Sequence, residues 1–234
     1  YDSLKAVEIE LSMTPSEILG ELEKTRLENS METDAYARLM VTRGKKSKAF
    51  QHPSFSIYGP TFVIILEHSK PALRQSAKGV KLVTVPQTRG SPLVQDPKYN
   101  SHSKLNCIIA CLQSSKAGGD EALMLDPHGF VSTTNSCNFF IVRKKEVWTS
   151  TGDYCMNGVT RSKVIDICKD KGIPIFEKNF SLLETYSAEE AFLTGTFGGI
   201  TKVSSIDGHE IGLGGEGVFV SKLRRHYEAM IGKS

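Results

Sequence analysis

Long apolar runs, a dominant charge and paired cysteines are all missing from this 234-residue sequence, and each absence excludes something. No apolar stretch approaches the roughly 20 residues of a membrane span, so no transmembrane helix is expected. The 29 lysines and arginines are offset by 26 acidic residues, and a net charge of +3 is too mild for a nucleic-acid surface. The most basic run, Arg43-Gly44-Lys45-Lys46-Ser47-Lys48, lies between two strand-like segments and reads as a solvated loop. The five cysteines are an odd number without a CxxC pair. Cys107 and Cys111 stand one helical turn apart, but no nearby histidine or carboxylate completes a metal set, so no metal site is expected. All five read as reduced, small, mostly buried side chains, which implies a reducing compartment, taken as the cytoplasm. The chain starts at Tyr1 with neither a signal peptide nor an initiating methionine, so it is expected to be a fragment or a processed form.

What is present is an ordinary globular composition, 39% hydrophobic and 24% charged, enough for one large domain or two small ones. Thr14-Pro15-Ser16-Glu17 is a capping box with proline at the first helical position, so a helix starts there. Residues 35–42 alternate as a strand, residues 61–66 (TFVIIL) read as a strand buried on both faces, and residues 79–85 as a third strand. These suggest a small α/β part over residues 1–85. Pro86, Gly90, Pro92 and Pro97 mark residues 86–97 as an interdomain linker. In the remaining 98–234, Ser101 or Ser103 is placed to cap a helix over 104–116 that Gly118 and Gly119 close. A strand over 121–126 follows, then a hairpin through Lys144-Lys145 and a helix over 160–171. A second capping box occupies Ser181-Leu182-Leu183-Glu184, ahead of a strand over 191–196 and a hairpin at Asp207-Gly208. A last amphipathic helix uses Val218, Leu223 and Tyr227. Mixed strands and helices with many hairpin signals predict an α+β or mixed-barrel architecture.

Two turns offer themselves as phosphate cradles. Asn157-Gly158-Val159-Thr160-Arg161 opens a helix, whose first N–H groups and the Thr160 hydroxyl suit an anion. Thr194-Gly195-Thr196 ends a strand with a hydroxyl and small-residue N–H groups. Taken alone each signal is weak, and Asn157-Gly158-Val159-Thr160-Arg161 reads first as a simple helix N-cap. Further upstream stand Asp96-Pro97-Lys98-Tyr99-Asn100-Ser101, then Leu105-Asn106, and Ala117-Gly118-Gly119-Asp120-Glu121-Ala122-Leu123. Together with Asn138-Phe139-Phe140 and the Y-x-R-L-x-V-x-R-G pattern from Tyr36 to Gly44, this ordered set resembles the class IV aminotransferase family of pyridoxal-phosphate (PLP) enzymes. That family includes the branched-chain and D-amino-acid aminotransferases, and the likeness spans essentially the whole chain.

The resemblance implies the two-part fold-type-IV architecture: a small N-terminal α/β part, incomplete here, and a larger C-terminal mixed barrel-like part, with PLP between them and two copies forming a homodimer. It implies that Val159, Thr160, Gly195 and Thr196 hold the cofactor phosphate. It also makes Arg38, with Tyr36 on the same strand, a substrate-binding candidate. A further phosphate-binding arginine belongs to a segment upstream of Tyr1. Two positions depart from the family. Asn100 stands where the family's cofactor-binding lysine belongs, and Thr133 stands where a glutamate pairs with the pyridine nitrogen. Asparagine forms no covalent link to an aldehyde, and threonine offers a hydrogen bond but no charge. Lys104, four residues beyond Asn100, is the first candidate for a relocated lysine, and Lys98 is the second. His102 is a candidate general base. Three readings stay open. The first is a transaminase-like enzyme passing amino groups between a small branched-chain or D-amino acid, or an amine, and a 2-oxo acid. The second is a catalytically impaired homologue that still binds PLP or another phosphorylated ligand, and the third a homologue with no cofactor.

Overall fold

Two capping boxes set helix starts where the sequence places them. After a short helix α1 (Asp2–Ala6), Thr14 accepts the Glu17 N–H while the Glu17 carboxylate accepts the Thr14 N–H at 2.7 Å, and α2 (Pro15–Glu28) begins. Strands β1 (Ala35–Thr42) and β2 (Thr61–His68) then pair antiparallel along their whole length. The computed structural model describes residues 1–69, 78–212, 215 and 217–232, and the chain divides into two compact units, Tyr1–Ala72 and Leu73–Ser234. In the first unit no described residue is buried. The TFVIIL segment is therefore half-buried and not covered on both faces as its apolar run suggests: β1 and β2 form a sheet of only two strands.

The second unit begins with β3 (Val80–Thr84), the short α3 (Pro92–Gln95) and α4 (Leu105–Lys116). It continues through β4 (Glu121–Leu125), β5 (Val131–Thr134), β6 (Asn138–Arg143), β7 (Glu146–Thr149), α5 (Val159–Asp170), β8 (Ile175–Glu177) and α6 (Leu182–Tyr186). It ends with β9 (Glu190–Gly195), β10 (Gly199–Ile206), β11 (His209–Glu210) and α7 (Val218–Met230). The division between the units falls upstream of the 86–97 stretch, because β3 is hydrogen-bonded in parallel to both β10 and β4 and so belongs to the larger sheet. The β6–β7 hairpin turns on Lys144 and Lys145, both at positive φ (54° and 63°), and the β10–β11 hairpin on Asp207 and Gly208 (52° and 81°), as two-residue hairpins require.

Strand β9 pairs with β6 on one side and with β10 on the other. That closes β10, β3, β4, β5, β6 and β9 into a ring, with β11, β7 and β8 extending it. This is the mixed barrel expected from the pattern of strands. All six ring strands contribute to one buried cluster, through Leu82, Leu123, Val131, Phe139, Leu193 and Val203, which is the interior. The opposite face carries two helical covers. α5 and α7 pack Val164, Cys168, Val220, Leu223 and Tyr227 onto Phe140, Val142, Phe192 and Ile200, whereas α4 packs Ala110 onto Ala122 and Met124. Val218 is exposed, so the inward stripe of α7 runs through Val220 instead. Three of the five free cysteines (Cys107, Cys155 and Cys168) are buried, Cys137 is partly covered and Cys111 is exposed.

Phe140 stacks on Phe192 with ring centres 4.8 Å apart and both fully buried. Phe140→Ala is expected to lower the unfolding free energy by about 3–5 kcal/mol, measured by denaturant titration. A loss below about 1 kcal/mol would show that this face is loosely packed. Burial, reinforced by the Asp207 carboxylate that accepts its hydroxyl at 2.7 Å, pushes the Tyr186 phenol up to about 12. Because this lies above the ordinary value of 10.0, the stabilisation is complete below about pH 10 and disappears as pH rises through 10 to 12. Thermal melts across that window are expected to be steeper in pH for the wild type than for Tyr186→Phe. Equal slopes would remove the linkage.

Candidate active site

One row of side chains organises the site. A bulge at Ser132, where Leu125 pairs with Val131 but Met124 pairs with Thr133, turns Thr133 onto the same face as Met124. Residues directly opposite one another across strands share a face. Thr133 opposes Asn138, Asn138 opposes Thr194, and Thr194 opposes Ile200. Thr133, Asn138 and Thr194 therefore form a buried polar row on the helix-covered side of the ring, between the area under α4 and the area under α5 and α7. At one strand spacing per step, Thr133 and Thr194 lie roughly 10 Å apart.

Asn138 ties this row to the start of α5. Its amide donates to the Met156 carbonyl at 2.9 Å, and a Cβ on Gly158 would stand 2.7 Å from its Oδ1, so only glycine fits at that approach. Gly158 is the N-cap of α5 and has no side chain with which to cap it, so the N–H groups of Val159 and Thr160 end the helix with their positive pole outward. Arg161 holds this turn in place, donating to the Ser150 carbonyl and the Glu177 carboxylate, each at 2.8 Å. Thr160 is buried with its hydroxyl 3.5 Å from that of Tyr227, while the Val159 side chain is exposed. On the β9 side, Thr194 is buried and its hydroxyl has no hydrogen-bond partner among the described residues. A Cβ on Gly195 would meet Cys137 Sγ at 3.1 Å. Thr196 is exposed in the β9–β10 turn. Backbone N–H groups, hydroxyls and two glycine approaches thus converge from α5 and β9, an arrangement that suits an oxyanion.

The structure separates the other candidates. Residues 96–100 form a turn and not a strand, with the Asp96 carboxylate accepting the Lys98 N–H at 2.9 Å. Lys98 and Asn100 are both exposed, and Lys98 reaches the Asp153 carboxylate at 4.0 Å. His102 is exposed in the bend ahead of α4. Lys104 is the N-cap of α4, so neither Ser101 nor Ser103 caps that helix; Ser103 instead donates to the Gln95 side chain at 3.0 Å. Lys104 is partly buried and lines a cavity of about 500 Å³ together with Asn106 and Cys107. Thr133 donates its hydroxyl to the Cys137 carbonyl at 2.6 Å, which leaves its lone pairs free to accept. In the first unit, Tyr36 is half-buried and Arg38 exposed, two residues apart on β1 and hence on one face. Among the described residues no group of three histidine, cysteine or acidic side chains could hold a metal ion, and no helix is long and apolar enough to cross a membrane.

Sequence reasoning kept Thr194 only within its turn and passed over Asn138 as a site residue. Both left one trace, a polar side chain at the end of an otherwise apolar strand.

Known proteins carry the same organisation. The family described as amino-transferase class IV matches residues 1–206. The chain is 37% identical over 229 residues to branched-chain-amino-acid aminotransferase-like protein 2 of Arabidopsis thaliana, covering 98% of this chain and 41% of that protein. It therefore spans about two fifths of the length of that plant relative. It is 33% identical to a putative branched-chain-amino-acid aminotransferase of Methanocaldococcus jannaschii, covering 97% of this chain and 78% of that protein. The solved branched-chain amino acid aminotransferase of Thermobaculum terrenum, in its PLP-form, superposes with a TM-score of 0.86 at 25% identity, over 100% of this chain and 76% of that one. With its ring of six strands and a cradle built from α5 and β9, the chain belongs to the class IV aminotransferase family.

Proposed function

We propose that this protein binds PLP and transfers amino groups between a small branched-chain or D-amino acid, or an amine, and a 2-oxo acid. The observation that carries the proposal is the cradle formed by Gly158, Val159 and Thr160 with Thr194 and Gly195. It contains a buried hydroxyl with no partner among the described residues and a helix start without a side-chain cap. A phosphate fits such donors, and the Thermobaculum terrenum relative was solved in its PLP-form. PLP, when bound, serves as the electron sink for chemistry at the substrate Cα.

The chain's own residues then divide the work. The N–H groups at the start of α5, with the Thr160 hydroxyl and the Gly195–Thr196 turn, would hold the phosphate. Thr133, its proton committed to the Cys137 carbonyl, could only accept a hydrogen bond from the cofactor ring and would supply no charge to it. Lys104 would be the amine that holds the cofactor and moves the Cα proton, a role supported by its place on a cavity wall, whereas Lys98 and Asn100 are exposed. His102 stands two residues ahead of it as a candidate base, and Arg38 and Tyr36 offer a face of β1 to a substrate carboxylate. A second copy of the chain is the proposed partner. Leu105, Ile108 and Leu112 support this, as they form an exposed apolar stripe at helical spacing along α4. Five free thiols support a reducing, cytoplasmic setting.

Added PLP followed by borohydride reduction and peptide mapping is expected to label Lys104. Lys104→Ala is expected to lose the label and at least about 10²-fold in kcat. PLP binding without a labelled lysine would instead favour the impaired homologue that Asn100 and Thr133 suggest. Light scattering is expected to report a dimer, shifted toward monomer by Ile108→Glu. A wild-type monomer would refute the partner assignment.

A further inference from the structure

We propose that Tyr227 of α7 is a positioning residue for the cradle. Its hydroxyl sets the Thr160 hydroxyl to donate to a phosphate, and its ring braces the strand opposite Gly195. This rests on the reading of α5 and β9 as a phosphate cradle. Three features of α7 bring Tyr227 there. Val220, Leu223 and Tyr227 form the inward stripe of the helix, and Tyr227 ends it with 9% of its surface exposed. The Glu190 carboxylate accepts the Phe219 and Val220 N–H groups at 3.0 and 2.8 Å, which ties the start of the helix to β9. Arg224 Nε donates to the Ile200 carbonyl at 3.2 Å, which ties its middle to β10. α7 therefore cannot slide without losing bonds to both strands, and Tyr227 keeps one place beside the first turn of α5.

Two contacts link that place to the cradle, one with each half. The Tyr227 hydroxyl lies 3.5 Å from Thr160 Oγ1 in the first turn of α5. Its ring lies against Gly199, where a Cβ would stand 3.2 Å from Cε1, and Gly199 is the residue opposite Gly195 in the β9–β10 pairing. The direction of donation between the two hydroxyls decides what the first contact does. A threonine hydroxyl carries one proton and two lone pairs. Spent on Tyr227, that proton would leave only lone pairs to face an anion. With Tyr227 donating, the Thr160 proton stays free for the anion, and the two bonds in series reinforce each other. A phenol is a stronger acid than an aliphatic hydroxyl, so Tyr227 is the natural donor. At 3.5 Å the contact is long for a hydroxyl pair, so it orients Thr160 more than it stabilises the fold.

The test compares 4-deoxypyridoxine 5′-phosphate with 4-deoxypyridoxine. Neither carries an aldehyde, so neither reports lysine chemistry, and the ratio of their dissociation constants isolates the phosphate. Calorimetric titration of the full chain is expected to show a wild-type preference for the phosphorylated compound. Tyr227→Phe keeps the ring and is expected to lower that preference about 3- to 10-fold, with 4-deoxypyridoxine binding and the denaturation midpoint unchanged. In a Thr160→Val background the same substitution is expected to change the ratio by less than about twofold, as a residue acting through Thr160 requires. An unchanged or increased preference in Tyr227→Phe would overturn the proposal, as would an equal loss in the Thr160→Val background. A wild type that binds both compounds alike would overturn the cradle itself, and the proposal with it.

Discussion

Strand β9 has two hydrogen-bonded neighbours, β6 and β10, that lie far apart in sequence, and the larger unit depends on that double pairing. Without it the sheet would be an open ribbon with two edges. With it, six strands enclose Leu123, Phe139, Leu193 and Val203 on one side and offer a continuous helix-covered surface on the other. Closure also fixes where β9 ends. Thr194 and Gly195 come to rest beside Asn138 and the first turn of α5 because the β6–β9 register leaves no other position for them. The cradle is thus a by-product of the ring and needs no device of its own beyond two glycines.

The bulge at Ser132 has a similar reach. A regular β5 would alternate Val131 and Thr133 onto the same side, and Thr133 would face the apolar interior. The extra residue sends Val131 inward and Thr133 outward, completing the polar row with Asn138 and Thr194. Buried side-chain atoms without a hydrogen-bond partner in the larger unit then collect in one place. Among the described residues of this unit these are the Thr194 hydroxyl, at the end of β9, and the Arg161 Nε, in the first turn of α5. In a fold whose other buried polar side chains are nearly all bonded, such exceptions mark where ligands complete the structure.

Asn100 and Thr133, the two expected departures from the family, meet different fates in the fold. Asn100 sits exposed on a turn, so its amide is a surface group. Thr133 is buried and bonded to the Cys137 carbonyl, so its hydroxyl keeps a defined orientation. Lys104 stands between these extremes, partly buried at a helix start where backbone geometry, and not side-chain capping, sets its position.

Local signals sufficed for the elements whose cause is local. The capping boxes at Thr14 and Ser181, the Lys144-Lys145 and Asp207-Gly208 hairpins and the glycine closing α4 are all bonded within a few residues, so composition and spacing determine them. The same holds for the barrel-like class, which follows from many short strands with hairpin turns. Tertiary structure alone decided the rest. TFVIIL reads as a buried strand, but only its neighbours could bury it, and its unit supplies one. Residues 80–84 read as part of the first unit until β10, more than a hundred residues later, pairs with them. The face of Thr133 and the burial of Arg89 likewise depend on pairing with other segments. Burial, register and charge pairing are properties of contacts between segments, and no single segment carries them.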